Sequence, residues 1–376
     1  IGMENKSVRL EERQRYVGLD IARIFALLCV IGVHFFLHTE FYDAPVAGLR
    51  MYIMVILRNF FMICIALFLL ISGYLLGSKK LTVSYYLGLI RVISIYVLAS
   101  LCCGVYRIAV RKEDLSVFEM LTGILSFSTA EYAWYVEMYI GLFLLAPLLN
   151  LMYDGLQTKK RRRVAIAILL VLTALPGVTN IFCARGLDWW MDPKIDNQYI
   201  LLLPEYFIPF YPVTLYLMGC YLKDYPVKCG KLLNLALILA LTLATGMFNI
   251  YRSYGTTFIQ GGWQTWGSLP VVALAAAVFV FFVGIKGEKL PGFIKTGLKW
   301  LSNFVFGAYL VSWIFDDLFY PMLRKSVPEM QLRLEWFPVM VLAVTVCSLT
   351  LSAVVYGIYS ITGGWLLKRL RQSFEK

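Results

Sequence analysis

Apolar runs of about 18 to 25 residues recur along the whole chain, parted by short breaks rich in charge, proline or glycine. A run of that length crosses a hydrocarbon core of roughly 30 Å as a helix. The pattern predicts ten spans, near 18–37, 54–76, 84–106, 133–153, 164–182, 205–222, 232–249, 267–285, 303–322 and 337–363. The stretches 115–127 and 288–300 are too short or too charged to cross, and read as amphipathic helices lying at the interface. No internal repeat or appended soluble domain is visible. Residues 1–376 are therefore expected to form one all-α membrane domain of about ten helices, with an N-terminal segment 1–16 and a C-terminal tail 364–376.

Composition sharpens the picture. Charged residues are 15% of the chain and hydrophobic residues 60%, against roughly 25% charged in soluble domains, which excludes an ordinary water-soluble globule. The first apolar run is too long for a signal-peptide core and has no small-residue cleavage site after it, so it is expected to be retained as a span. An even number of spans puts both termini on one side. The loops of that side carry 22 Lys and Arg against 10 on the other, with Arg23, Arg58 and Arg91 in or at the edges of spans. Because cytoplasmic loops are the basic ones, both termini are expected to be cytoplasmic. The net charge of +12 is spread over these short clusters, a topology signal and not a nucleic-acid surface. The eight cysteines mostly lie inside apolar runs with no metal-like spacing, and no metal site is expected.

Ionisable groups inside a span cost about 2.5–3.5 kcal/mol on insertion scales, so each is a functional candidate. The first span carries Asp20, Arg23, His34 and His38. Arg23 and His34 are about three turns apart, which puts them on one face and roughly 16 Å apart along the axis. A guanidinium suits phosphate and an imidazole accepts a proton near neutral pH. A phosphate-bearing donor held at Arg23 would then reach His34 with its reactive end. The plainer reading makes Arg23 a snorkelling anchor paired with Asp20 and His34 a packing residue. His34 and His38 are the only histidines, so a histidine proton acceptor is one of the two.

Other positions carry weaker signals. Arg58 and Asn59 interrupt the second span, Arg91 lies early in the third, and Glu137 near the outer end of the fourth sits within an aromatic belt of Tyr132, Trp134, Tyr135 and Tyr139. Asp316 and Asp317, in the outer half of the ninth span, read as rim or site. The loop 183–204 joins Trp189 and Trp190 to Asp188, Asp192, Asp196 and Asn197, a set that stacks on and hydrogen-bonds sugars or anchors the loop at the interface. A similar cluster of Trp263, Gln264 and Trp266 with Arg252 precedes the eighth span. No phosphate-binding glycine loop, metal constellation or nucleophilic serine motif is present.

Arg23, ten intervening residues and His34, within LDIARIFALLCVIGVH, resemble the signature of membrane acyltransferase family 3. Supporting blocks follow in the family's order: LFLLISGYLL (Ser72, Gly73, Tyr74), AWYVEMYIGLFLLAPLL (Trp134, Tyr135, Pro147) and LSNFVFGAYLVSW (Ser302, Phe306, Tyr309). The resemblance covers almost the whole chain. It implies a bacterial cytoplasmic-membrane enzyme that acylates surface polysaccharide, peptidoglycan or a related acceptor, with His34 catalytic and Arg23 engaging an acyl-coenzyme A donor. His34 would act as general base or briefly carry the acyl group. On that reading Arg58, Arg91, Lys79 and Lys80 are further candidates for the donor phosphates. Trp134, Tyr135, Glu137, Trp189, Trp190 and Tyr309 are candidates for the acceptor glycan. One departure stands out: Ser312 occupies the place of the histidine with which many members end the last motif. The alternative class is a transporter or flippase of a sugar, amino acid or lipid-linked glycan, against which no pair of broken helices in corresponding halves is evident.

Overall fold

A computed structural model describes residues 17–180 and 201–374 of the protein, and these are helical with no strand; two isolated bridges pair Pro45 with Thr257 and Val46 with Tyr254. The longer helices are α1 Val17–His38, α2 Leu49–Phe61, α3 Cys64–Leu76, α4 Gly88–Ala109, α5 Val117–Leu125, α6 Trp134–Gly155, α7 Lys159–Thr173, α8 Tyr211–Asp224, α9 Lys231–Ser253, α10 Leu269–Val283, α11 Gly292–Ser326, α12 Phe337–Ile361 and α13 Gly363–Phe374. Eight segments among the described residues are long and apolar enough to cross a membrane. They correspond to the predicted spans except the fifth and sixth, where α7 and α8 have only 15 and 14 residues. α7 starts beside Asp154 and Asp224, which Arg162 bridges, and ends where the Ala174 carbonyl accepts from Leu269 at the opposite end of the bundle. α8 runs the other way, from Tyr211 packed on Gly267 to Asp224.

Within the stretch 115–127 there is a short helix, α5, opened by a reciprocal capping box of Ser116 and Glu119. Its Val117, Phe118, Leu121 and Leu125 are exposed. The interfacial helix expected at 288–300 is corrected: from Gly292 these residues are the first turns of α11, a single helix of 35 residues. The charges of Lys295 and Lys299 break the hydropathy there without breaking the helical hydrogen bonds. The tail after 363 is α13. The second predicted span is broken at Met62 and Ile63 into α2 and α3. Irregular backbone at that depth is tolerated where it lines a cavity, and Met62 lines one.

α1 is the hub, packed against α2, α3, α10, α11 and α12. Ala22, Ala26, Cys29 and Gly18 let neighbours approach closely, and a Cβ at Gly18 would collide with the Phe282 carbonyl. Lipid tails are as apolar as leucine, so helices in a bilayer associate through such close backbone contact. α3 and α8 use the same device, Gly73 lying on the backbone of Tyr216 and Gly219 on that of Leu70. On the outside, Leu232, Leu233, Leu235 and Leu239 of α9 are exposed, an apolar surface of the kind a membrane covers. The protein is a multi-pass helical membrane protein.

Candidate active site

Packing α11 on α1 brings a carboxylate to the histidines. Asp316 is wholly buried, and its Oδ2 accepts from the Tyr132 hydroxyl at 2.8 Å and meets His34 Nδ1 at 3.1 Å, with His38 Nε2 4.0 Å away. His38 Nε2 is also 2.7 Å from the Tyr132 oxygen. These contacts assign the protons. With Asp316 as the carboxylate, which only accepts, His34 carries its hydrogen on Nδ1 and Tyr132 spends its own on Asp316. The Tyr132 oxygen must then accept from His38 Nε2. His34 Nε2 is left with its lone pair and with no hydrogen-bond partner among the described residues. A buried carboxylate behind an imidazole fixes its tautomer and stabilises the imidazolium that forms when it takes a proton.

The rings are held from both sides. His34 lies against the Tyr132 ring with centroids 3.9 Å apart, and His38 stacks on Tyr320 at 5.3 Å. The carbonyls that end α1 are capped by cations: Arg324 donates to His38 O at 2.9 Å and Arg333 to Thr39 O at 2.8 Å. Both satisfy orphan carbonyls and oppose the negative end of the helix dipole. Arg333 also pairs with Glu40 at 2.7 Å, where the chain turns through a left-handed residue.

His34 opens on a cavity of about 560 Å³ whose walls include Arg58, Trp134, Tyr132, Gln264, Trp266 and Tyr309. Trp134 and Trp266 stack with centroids 4.4 Å apart. A second cavity of about 310 Å³ lies at the Arg23 end, walled by Arg23, Arg91, Ser72, Tyr135, Tyr139, Ser302 and, again, Tyr309. Arg23 donates to Ser302 Oγ at 3.4 Å and stands 3.8 Å from Asp20. Tyr309 is buried, donates its hydroxyl proton to the Tyr132 carbonyl, and lines both cavities.

The structure thus sorts the residues singled out from sequence. Arg91 joins Arg23, whereas Arg58 does not: it sits ahead of the break in the second span, in the His34 cavity. Lys79, Lys80 and Glu137 are exposed and line neither cavity. Trp134 lines the His34 cavity, Tyr135 the other and Tyr309 both; Trp189 and Trp190 lie outside the described residues. Ser312 bonds the Tyr309 carbonyl of its own helix at 2.9 Å and reaches neither cavity. In the sequence Asp316 reads equally as rim or site, and Tyr132 only as part of an aromatic belt. The one signal that favoured Asp316 was the cost of an acid within a span.

Fold and site define a polytopic helical membrane protein with a histidine–carboxylate pair facing a cavity inside the bundle. The family model described as an acyltransferase domain, that of acyltransferase family 3, matches residues 16–356. The chain belongs to this family and is an acyltransferase of groups other than aminoacyl groups. Searches of curated proteins and of solved structures return no match.

Proposed function

We propose that the protein crosses a bacterial cytoplasmic membrane ten times with both termini inside. In that setting it moves an acyl group, acetyl in the first instance, from cytoplasmic acyl-coenzyme A to a hydroxyl of a cell-surface glycan. The observation that carries this reading is the pair of cavities sharing a wall at Tyr309, Arg23 and Arg91 in one and His34, backed by the buried Asp316, in the other. The Arg23 end is also where Lys79, Lys80 and the basic run Lys159–Arg163 gather: Asn150 Nδ2 donates to Lys79 O at 2.8 Å and Lys223 bonds Ser78 Oγ at 3.1 Å. That side suits a polyanionic donor, and Arg23 and Arg91 are the guanidinium groups available to its phosphates. The thioester arm then enters past Tyr309.

His34 Nε2 takes the proton of the acceptor hydroxyl as its oxygen attacks the thioester carbonyl. The C–S bond breaks, and the proton passes from the imidazolium to the leaving thiolate. Asp316 keeps the imidazole oriented and balances its charge throughout. A positioned base of this kind contributes about 10²–10⁴ in rate. The stacked indoles of Trp134 and Trp266 offer a flat apolar wall for a sugar ring. In liposomes holding purified protein, acetyl-coenzyme A and a glycan extract, the expected result is His34-dependent release of free thiol with acetylation of the glycan. Glycan movement without thioester loss would overturn the reading.

A further inference from the structure

Arg58 is 5% exposed, in the middle of a membrane bundle, and everything around its guanidinium is neutral. Nε donates to the Tyr42 hydroxyl at 3.0 Å, and Nη1 to Gln264 Oε1 at 2.7 Å and Asn59 Oδ1 at 3.4 Å. The Phe258 ring lies 4.8 Å and the Tyr42 ring 5.8 Å from its central carbon. Among the described residues no carboxylate stands within 4.0 Å of it, and Nη2 has no protein partner. Arg162 and Arg333, by contrast, each reach a carboxylate within 2.7 Å. An unpaired buried charge costs several kcal/mol, and a cavity open to an incoming anion is one place where that cost is recovered.

The neutral cradle is itself fixed in orientation. The Gln264 amide nitrogen donates to Ile259 O at 2.9 Å and to Asn249 Oδ1, so its oxygen has to face Arg58. Asn249 Oδ1 is in turn pinned by Trp263 Nε1 at 3.2 Å. Arg58 is therefore held with one amino group unclaimed, in a cavity whose lining contains no carboxylate to repel an anion. The same cavity holds His34 and the stacked indoles.

Taking that cavity as the acceptor side of the proposed transfer, we propose that Arg58 binds an anionic oxygen group, a carboxylate or a phosphate, carried by the sugar that receives the acyl group. The acceptor class is then an acidic glycan, with the charged substituent at Arg58, the ring on Trp134 and Trp266, and a free hydroxyl toward His34 Nε2. Asp316 does not oppose this, because it lies behind His34 and is already engaged by Tyr132 and His34.

The test is binding to the full chain in nanodiscs without donor, read by tryptophan fluorescence, with methyl glucuronide, glucose 6-phosphate and neutral methyl glucoside as probes. At least one charged sugar should bind about tenfold or more tighter than the neutral one, and the stronger of the two tells carboxylate from phosphate. Arg58→Gln should erase the preference and Arg58→Lys retain most of it. Asn59→Asp, of nearly the same shape, should also erase it by neutralising the guanidinium in place, which guards against misfolding of the arginine variant: Asn59 Oδ1 already accepts from Arg58, and the amide nitrogen it gives up has no hydrogen-bond partner among the described residues. His34→Ala should keep the preference while stopping thiol release, so that failure of the transfer reading and failure of the anion site appear in different assays. No saturable binding of either charged sugar, equal binding of charged and neutral sugars, or a preference that survives both Arg58→Gln and Asn59→Asp overturns the proposal.

Discussion

Tyr132 and Asp316, 184 residues apart, share a 2.8 Å hydrogen bond, and that bond decides the protonation pattern of both histidines. Removing the hydroxyl by Tyr132→Phe leaves His38 Nε2 without its acceptor and Asp316 with one donor fewer. Acyl transfer should fall through kcat with little change in KM. Deleting a hydrogen-bond partner of a buried charge should also lower thermal stability by about 1–3 kcal/mol. Steady-state kinetics and melting in detergent read the two effects separately.

His34→Ala should reduce thiol release by about 10²–10⁴ while the protein still elutes as a folded species. Asp316→Asn should approach the same loss, because an amide in place of the carboxylate neither fixes the Nδ1–H tautomer of His34 nor balances the imidazolium. A His34→Ala protein with wild-type turnover would show that the proton acceptor lies elsewhere.

Tyr309 is the wall between the two cavities. Tyr309→Ala should join them and let water follow the thioester, so that acceptor-independent hydrolysis of acetyl-coenzyme A rises relative to transfer. Tyr309→Phe keeps the ring and loses only the bond to the Tyr132 carbonyl, and should leave that ratio near wild type. Labelled acetate measured against labelled glycan gives the ratio directly.

Arg23→Ala should raise KM for acetyl-coenzyme A about tenfold or more, the loss of a charged hydrogen bond to phosphate being about 1.5–3 kcal/mol. Arg58→Ala should leave that KM unchanged, because the two arginines face different cavities. Equal donor effects from both variants would mean that the donor phosphates reach the His34 side.

The hydrogen bond from Arg333 holds the Glu40 carboxyl below the usual carboxylate range. A depressed native value means that the pair stabilises the fold above the unfolded-state pKa of Glu40, with the benefit fading as pH falls through the native one. Glu40 is half exposed, so the contribution is that of a surface pair, about 0.2–1 kcal/mol. Glu40→Gln should melt slightly below wild type at pH 7, and the gap should close in acid.

Span positions, the predominance of helix and the basic bias between alternate loops are local properties, and the chain displayed them before any contact was known. Length and hydropathy placed α1 within a residue at each end, and the Arg23 to His34 spacing singled out the helix that carries the site. The same local view missed α11 as one long helix, since Lys295 and Lys299 lower hydropathy without costing helical hydrogen bonds.

What only the tertiary structure decided is who meets whom. His34 and Asp316 are 282 residues apart, and nothing in either helix's own periodicity indicates that they meet. Their contact follows from close packing around α1, where small residues set how near each helix comes and therefore which polar side chains share an interior. Arg58 makes the same point in reverse: its charge was evident in the sequence, but the break at Met62 and Ile63 and the neutral cradle from the α9 to α10 connection determined which cavity it serves. A charge inside a span is written in the chain, whereas the counter-charge it finds, or lacks, exists only once the helices have packed.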